Sequence, residues 1–270
     1  MVLIIEEKIY IFVKMKKDIG ISIPKISVLT PTCRPGGLKI VDFSLGKQIF
    51  FSNFEWVIVS SFKPITITPS LWVKDPPGRL GDYWNFNKAM NAGLRKCRGE
   101  LIISWQDYIW GSMDTLETFW FWHKHYNGLA AVTGVGDQYG DIDERGIPTN
   151  KIWGDPRKSG FGEFGSHYEI KPVDWEANFA MMPKQAFYDV GGFDEELDKW
   201  AGMDNVSLVE RVDFLKKYKF YIDHSLECKG FKHGRPPKWN ENHAMFEGRY
   251  EKRTIGLINS GQWPKLSYLV

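Results

Sequence analysis

The chain has 270 residues, and 35 Lys+Arg against 33 Asp+Glu leave a formal net charge of +2, which excludes a polyelectrolyte partner recognised through gross charge. Hydrophobic residues at 43% and charged residues at 25% exclude wholesale disorder, and a chain this long buries roughly three quarters of its unfolded surface without a crosslink. Cys33, Cys97 and Cys228 are far apart and odd in number, with no Cys-x-x-Cys pair. Neither a disulfide framework nor a thiolate zinc site is expected; a reducing compartment is. No apolar run approaches the ~18 residues that a membrane span requires. The first residues, Val2–Ile5 and Ile9–Val13 split by Glu6, Glu7 and Lys8, lack the shape of a secretory signal. A cytoplasmic protein, at most peripheral to a membrane, is the expectation.

In chain order, residues 1–24 read as an extension with two short β-rich runs and a basic knot at Lys14, Lys16 and Lys17. Ile26–Thr30 is an apolar strand ending in the turn-prone stretch Pro31–Gly37. A helix is expected within 38–50, a buried strand at Phe54–Ser60 and a loop at Pro76-Pro77-Gly78. Tyr83, Phe86, Met90, Leu94 and Cys97 have helical spacing, and Gly99 stops that helix. Leu101–Trp105 is the next strand, followed by a helix over Ser112–Tyr126 and a strand over Ala130–Gly134. From Gly134 to Gly165 frequent glycines predict a long irregular region, functional or mobile. Helices are expected over Pro183–Val190 and Met203–Lys217, and a last strand over Lys219–Asp223. Strands alternating with helices predict a parallel, doubly wound α/β sheet in a single domain.

Three constellations can carry chemistry. Gln106-Asp107-Tyr108 follows a strand, where ligands of open α/β sheets collect, and a carboxylate there can hold a divalent cation against a phosphate. Taken alone, an Asp capping the turn is the more ordinary explanation. Trp175-Glu176-Ala177-Asn178, then Gly191-Gly192-Phe193-Asp194-Glu195-Glu196, then Met203-Asp204-Asn205 set acids beside glycines, available as a general base. Helix capping explains Asp204 and Asn205 equally well in isolation. Lys229-Gly230-Phe231-Lys232-His233-Gly234-Arg235 can meet a diphosphate or ligate a metal through His233, or be a plain basic loop. No P-loop, Ser-His-Asp order or dinucleotide fingerprint rises above chance. The aromatic content of 15%, with 12 Trp and 11 Tyr, offers rings suited to stacking on sugars and bases.

The order of these blocks resembles family 2 glycosyltransferases. Ile26-Ser27-Val28-Leu29-Thr30-Pro31-Thr32 is similar to that family's opening strand; Asn87–Leu94 and Arg98–Ile103 resemble the helix and strand before its DxD; Gln106-Asp107-Tyr108 falls at the DxD; and Gly191–Glu195 with Met203–Asn205 resembles the acceptor-side block. The likeness spans about residues 25–235.

It implies a GT-A fold (Rossmann-like, doubly wound, with a mixed but mostly parallel sheet) over 25–235, and a C-terminal segment, 236–270, packed on that domain. It further implies a nucleotide-diphosphate sugar donor, a hydroxyl-bearing acceptor (glycan, lipid-linked sugar, small molecule or modified nucleic acid), and Mn²⁺ or Mg²⁺. By position Thr30, Pro31, Arg34, Asn87, Asn91, Gln106 and Arg235 would surround the donor. Asp107 and His233 would hold the metal, and Asp204 would be the base with Glu176 the alternative. Two departures stand out: Val59-Ser60-Ser61 lacks the acid that the family sets against the nucleotide base, and the DxD keeps one carboxylate where two are usual. A binding protein that shares the fold without turnover is a second reading. A nucleotidyltransferase is a third, although Pro31–Gly37 offers a triphosphate only Arg34.

Overall fold

A computed structural model describes residues 23–34, 36–50, 53–74, 85–144, 147–160, 166–200, 203–231 and 245–263. Nearly all of the 1–24 extension, the Pro76-Pro77-Gly78 loop, Lys232, His233 and Arg235 lie outside them. No described helix is long and apolar enough to cross a membrane.

The strands are β1 (Ile26–Pro31), β2 (Phe54–Ser60), β3 (Ser70–Lys74), β4 (Leu101–Trp105), β5 (Ile109–Gly111), β6 (Ala130–Ile142), β7 (Pro148–Trp153), β8 (His167–Glu169), β9 (Phe179–Pro183) and β10 (Lys219–Phe231). The helices are α1 (Leu38–Gly46), α2 (Phe86–Leu94), α3 (Thr115–His125), α4 (Lys184–Asp189), α5 (Asp204–Phe214) and α6 (Arg249–Ser260). Along the sheet the order is β3-β2-β1-β4-β9-β6-β10-β5, with β7 on β6 and β8 on β10. β3, β2, β1, β4, β6 and β10 run one way, and β9 lies antiparallel between β4 and β6. The expected doubly wound, mostly parallel α/β sheet is therefore present.

Period-two alternation distributes the strand residues between two apolar layers. Ile26, Val28, Trp56, Ile58, Leu101 and Ile103 face α1 and α3, where Leu38, Val41, Leu45, Leu116 and Phe119 meet them. Leu29, Val57, Val59, Ile102 and Met182 face the other way, onto Met90 and Leu94 of α2, Phe187 of α4, and Leu208 and Val212 of α5. Each such fully buried side chain contributes roughly 1.5–3 kcal/mol. Both sheet faces are covered, and the carboxyl edge of the parallel strands stays free to carry chemistry.

Several predicted elements change. Much of the region from Gly134 onward is regular: β6 runs on to Ile142 and pairs antiparallel with β7 through Gln138↔Trp153 and Asp141↔Thr149. β10 likewise continues to Phe231, with a register shift between Ile222 and Glu227. The helices are shorter than their apolar spacing suggests, because their last turns tighten before the chain leaves for the next strand. β3, β5, β7, β8 and β9 lie outside the strands that the sequence predicts. β9 carries Phe-Ala-Met-Met-Pro, without a β-branched residue, and is a strand because both of its faces are buried.

Candidate active site

The turn after β1 and the turn after β4 close on each other at the carboxyl edge. Asp107, only 2% exposed, is held from both sides. Thr32 Oγ1 donates to its Oδ2 at 2.5 Å, Arg34 Nε donates to the same oxygen at 3.0 Å, and Arg34 Nη2 bonds Oδ1. This is the forked guanidinium–carboxylate geometry, stronger than a point-charge pair. Burial works against the Arg34 charge, yet the Asp107 bonds outweigh it and raise its pKa above the ordinary value. Gly37 permits the turn to wrap so closely, since a Cβ there would lie 2.6 Å from the Asp107 carbonyl oxygen and 3.0 Å from Oδ2. The Arg34 guanidinium also lies 5.3 Å over the Tyr108 ring.

Thr30 faces inward, its hydroxyl accepting from Trp56 Nε1 at 2.9 Å, and Pro31 is buried at the end of β1. Thr32, absent from the sequence expectations, makes the polar contact to Asp107 instead. Gln106 is 3% exposed, and its Nε2 has no hydrogen-bond partner among the described residues.

A second set of polar groups gathers at the start of α2, which also lies at the carboxyl edge because α2 leads from β3 into parallel β4. Asn87 Nδ2 donates to Asp204 Oδ1 at 2.8 Å and to Asp198 Oδ1 at 3.1 Å. Asp198 further accepts from the backbone N–H groups of Asn87 (2.9 Å) and Lys88 (3.0 Å), satisfying donors that a helix start leaves open. Burial pushes the Asp204 carboxyl up to about 6. Burial, with the Asp204 charge adding to it, pushes Asp198 up to about 8. Beside these two carboxyls Asn87 Oδ1 is buried without a donor among the described residues. An acceptor lacking a hydrogen fits one carboxyl of the pair carrying a proton near neutral pH. Met203, the residue before α5, has φ 61°, a left-handed conformation that a side chain resists and that recurs at functional sites. Asn91 is structural: it donates to Phe193 O (2.9 Å) and Glu195 Oε1 (3.0 Å) and accepts from Phe193 N (3.0 Å), clamping the Gly-Gly-Phe turn onto α2.

Next to Asp107 in the chain, Tyr108 joins the wall of a cleft of about 130 Å³, lined also by Gly136, Arg157, Glu176, Asn178 and Phe179 among others. The Glu176 side chain is 47% exposed, 3.9 Å from Arg157 Nη2 and 3.2 Å from Asn178 Nδ2. Arg157 is fixed by Asp155, with Nη2 at 2.5 Å from Oδ2, and by the Asp174 carbonyl at 2.8 Å. On the β6–β7 arm beside it, Asp137 binds Lys151 at 2.7 Å and Lys158 at 2.8 Å. Burial opposes the Asp137 charge, but the two lysines overcome it and pull that carboxyl down to about 2. Asn205 Nδ2 donates to Trp175 O at 3.1 Å and so ties the start of α5 to the segment that carries Glu176. Asp198, Arg157 and Arg211 escaped the sequence reading: Asp198 lies between the Gly191–Glu196 and Met203–Asn205 blocks and Arg157 within the Gly134–Gly165 region, whereas Arg211 carried no signal. Arg211 is fully buried and donates to the carbonyls of Val190 (2.6 Å) and Gly192 (2.8 Å), while burial brings it down to about 10. Cys97 and Cys228 are buried and Cys33 is half-buried; all three are free. Burial raises the Cys97 thiol to about 12 and raises Cys228 as well.

No family model and no curated protein matches the chain. Among solved structures it is similar to the crystal structure of GalNAc-T7 with UDP, GalNAc and Mn²⁺, with a TM-score of 0.61 at 13% identity, covering 88% of this chain. The chain spans about half of that protein, 48% of its length. The likeness is one of fold, and it agrees with the GT-A architecture that the sequence resemblance implies.

That neighbour contains Mn²⁺, so the donor set of this chain can be tested against a divalent ion. Asp107 is the sole carboxylate of its turn, and both of its oxygens are engaged by Arg34 and Thr32. Among the described residues no three His, Cys, Asp or Glu side chains gather in a way that could hold a metal ion. As arranged, the described residues of this turn offer a divalent cation no open carboxylate oxygen, and His233, the other expected ligand, lies outside the described residues.

Proposed function

We propose that this chain is a family 2-like, inverting glycosyltransferase that moves a sugar from a nucleotide-diphosphate sugar to an acceptor hydroxyl. One observation carries the reading. On a GT-A sheet, three sequence blocks far apart in the chain (the turn after β1, the turn after β4 and the start of α5) reach the carboxyl edge, and the turn after β4 supplies Tyr108 to a cleft wall. Ligands of open α/β sheets bind at that edge.

The chemistry follows from the groups present. The acceptor oxygen attacks the anomeric carbon as the bond from that carbon to the phosphate oxygen breaks, and the electron pair leaves with the diphosphate. A carboxylate takes the acceptor proton. Asp204 suits that task, with a pKa near 6 that leaves it ionised at neutral pH yet more basic than an ordinary Asp. Asn87 orients it, and the start of α5 favours its charge. Glu176 is the second candidate base, supported by its place in the cleft wall. At the end of β2, Ser60 donates to the Phe62 carbonyl at 2.5 Å and offers no acid to a nucleotide base. Selection among bases is therefore expected to be loose.

Thermal-shift titration with nucleoside diphosphates and their sugars tests donor binding, because a ligand of the native state raises its stability. Transfer assays then separate an enzyme from a binding protein. Asp204→Asn is expected to keep donor binding and to slow transfer by about 10²–10⁴-fold. Parent-rate transfer by Asp204→Asn, together with loss in Glu176→Gln, would move the base to Glu176.

A further inference from the structure

We infer that Arg34 does in this protein what a divalent cation does in a metal-dependent transferase: it rests on the turn carboxylate Asp107 and presents positive charge to the donor diphosphate, with no metal required. The inference rests on the glycosyltransferase reading and deepens it.

Charge matching is the first ground. A divalent ion on two carboxylates is neutral overall, and so is one guanidinium on one carboxylate. The turn Gln106-Asp107-Tyr108 has a single carboxylate, the number that Arg34 neutralises.

Saturation is the second. Arg34 Nε and Thr32 Oγ1 both bond Asp107 Oδ2, and Arg34 Nη2 bonds Oδ1. With Asp107 2% exposed and Gly37 packed behind it, an incoming ion would have to expel the guanidinium first. Expelling it would bring a second positive charge onto a site with one negative charge to offer.

Directionality is the third. Nε and Nη2 face Asp107, while Nη1 has no partner among the described residues, and the Arg34 side chain is 31% exposed. The guanidinium lies over Tyr108, a residue of the cleft wall. Asp107 and Thr32 therefore aim the fork, and its outer edge is left for phosphate oxygens. That edge suits two phosphate oxygens at once, which a spherical ammonium does not match. As the bond from sugar to phosphate breaks, the electron pair arrives on an oxygen facing this edge, and the acceptor proton leaves on the carboxylate base. Atoms and charge balance without a further reactant.

The test is isothermal titration of the whole chain with UDP and with GDP, each in excess EDTA and in millimolar MnCl₂. Affinities within about twofold between the two conditions are expected, and a tenfold or greater gain with Mn²⁺ overturns the inference. Arg34→Ala is expected to lose about tenfold or more in EDTA, the scale of one or two charge-assisted bonds. Because that variant leaves Asp107 buried and unpaired, Arg34→Ala/Asp107→Asn, which removes both charges, is measured beside it with the same expectation. Unchanged affinity in a folded double variant overturns the inference. Arg34→Lys should fall between parent and alanine, and parent-like binding by Arg34→Lys would reject the fork while keeping the charge. Failure of the folded parent to bind either diphosphate in both conditions is a different result: it removes the glycosyltransferase reading itself.

Discussion

Two flanks of the molecule, the start of α2 and the β6–β7 arm, are both built from charged side chains, yet they respond to protons in opposite directions. On the α2 flank, Asp198 and Asp204 share the Asn87 amide, and burial lifts them from an ordinary 3.8 to about 8 and about 6. Raised acids favour the protonated native state. Their contribution to stability is complete below 3.8 and is lost as pH rises through 6 and then 8. On the β6–β7 arm, Asp137 between Lys151 and Lys158 is pulled down to about 2. Its contribution is present above 3.8 and is lost as pH falls toward 2. Burial, with no cation paired to either acid among the described residues, makes the first flank a proton-holding site; cations at the surface make the second a plain ion-pair strap. An acid that must accept a proton from a substrate belongs on the first.

The largest effect in this contrast should come from the buried arginine behind the α2 flank. Arg211→Ala leaves the Val190 and Gly192 carbonyls without their donor and opens a cavity, costing about 3–5 kcal/mol. Urea unfolding at neutral pH measures this, and a loss below about 1 kcal/mol would mean that Arg211 is not what holds the turn. Next in size is the pH response of the acid pair. The melting temperature of the parent should decline by about 5 °C between pH 6 and pH 8, and Asp198→Asn should flatten that decline. An identical slope in both proteins would show that Asp198 does not titrate there. The smallest effect belongs to the arm: Lys158→Ala should move the melting temperature by no more than about 2 °C at neutral pH and moderate salt. A larger drop would promote the arm from strap to structural element.

These contrasts also mark what the sequence makes legible. β1, β2 and β4 announce themselves because Ile26-Ser27-Val28-Leu29, Trp56-Val57-Ile58-Val59 and Leu101-Ile102-Ile103 are apolar on both faces, as a covered parallel sheet demands. The acid at the start of α5 is legible through its neighbours Gly191-Gly192-Phe193-Asp194 and Met203. The β6–β7 arm is hidden by its glycines, which normally argue against a strand. Here close approach requires one of them: a Cβ on Gly134 would lie 2.5 Å from the Leu226 carbonyl oxygen. Partnerships are hidden for another reason. Arg34 and Asp107 are 73 residues apart and Asn87 and Asp204 are 117 apart, so neither pair leaves a spacing pattern in the chain. A residue's type indicates what it can do; only the fold decides with whom.

The unequal surroundings of the three cysteines supply an experimental handle. Cys97 and Cys228 are buried with raised thiols, so neither forms thiolate readily at neutral pH, whereas Cys33, next to Arg34 in the chain, is half-buried and the one a reagent can reach. A maleimide dye added to the native protein should therefore attach at Cys33 first. Attached there, it would turn the β1 turn into a fluorescent reporter, with no engineered residue, for whatever anion Arg34 meets.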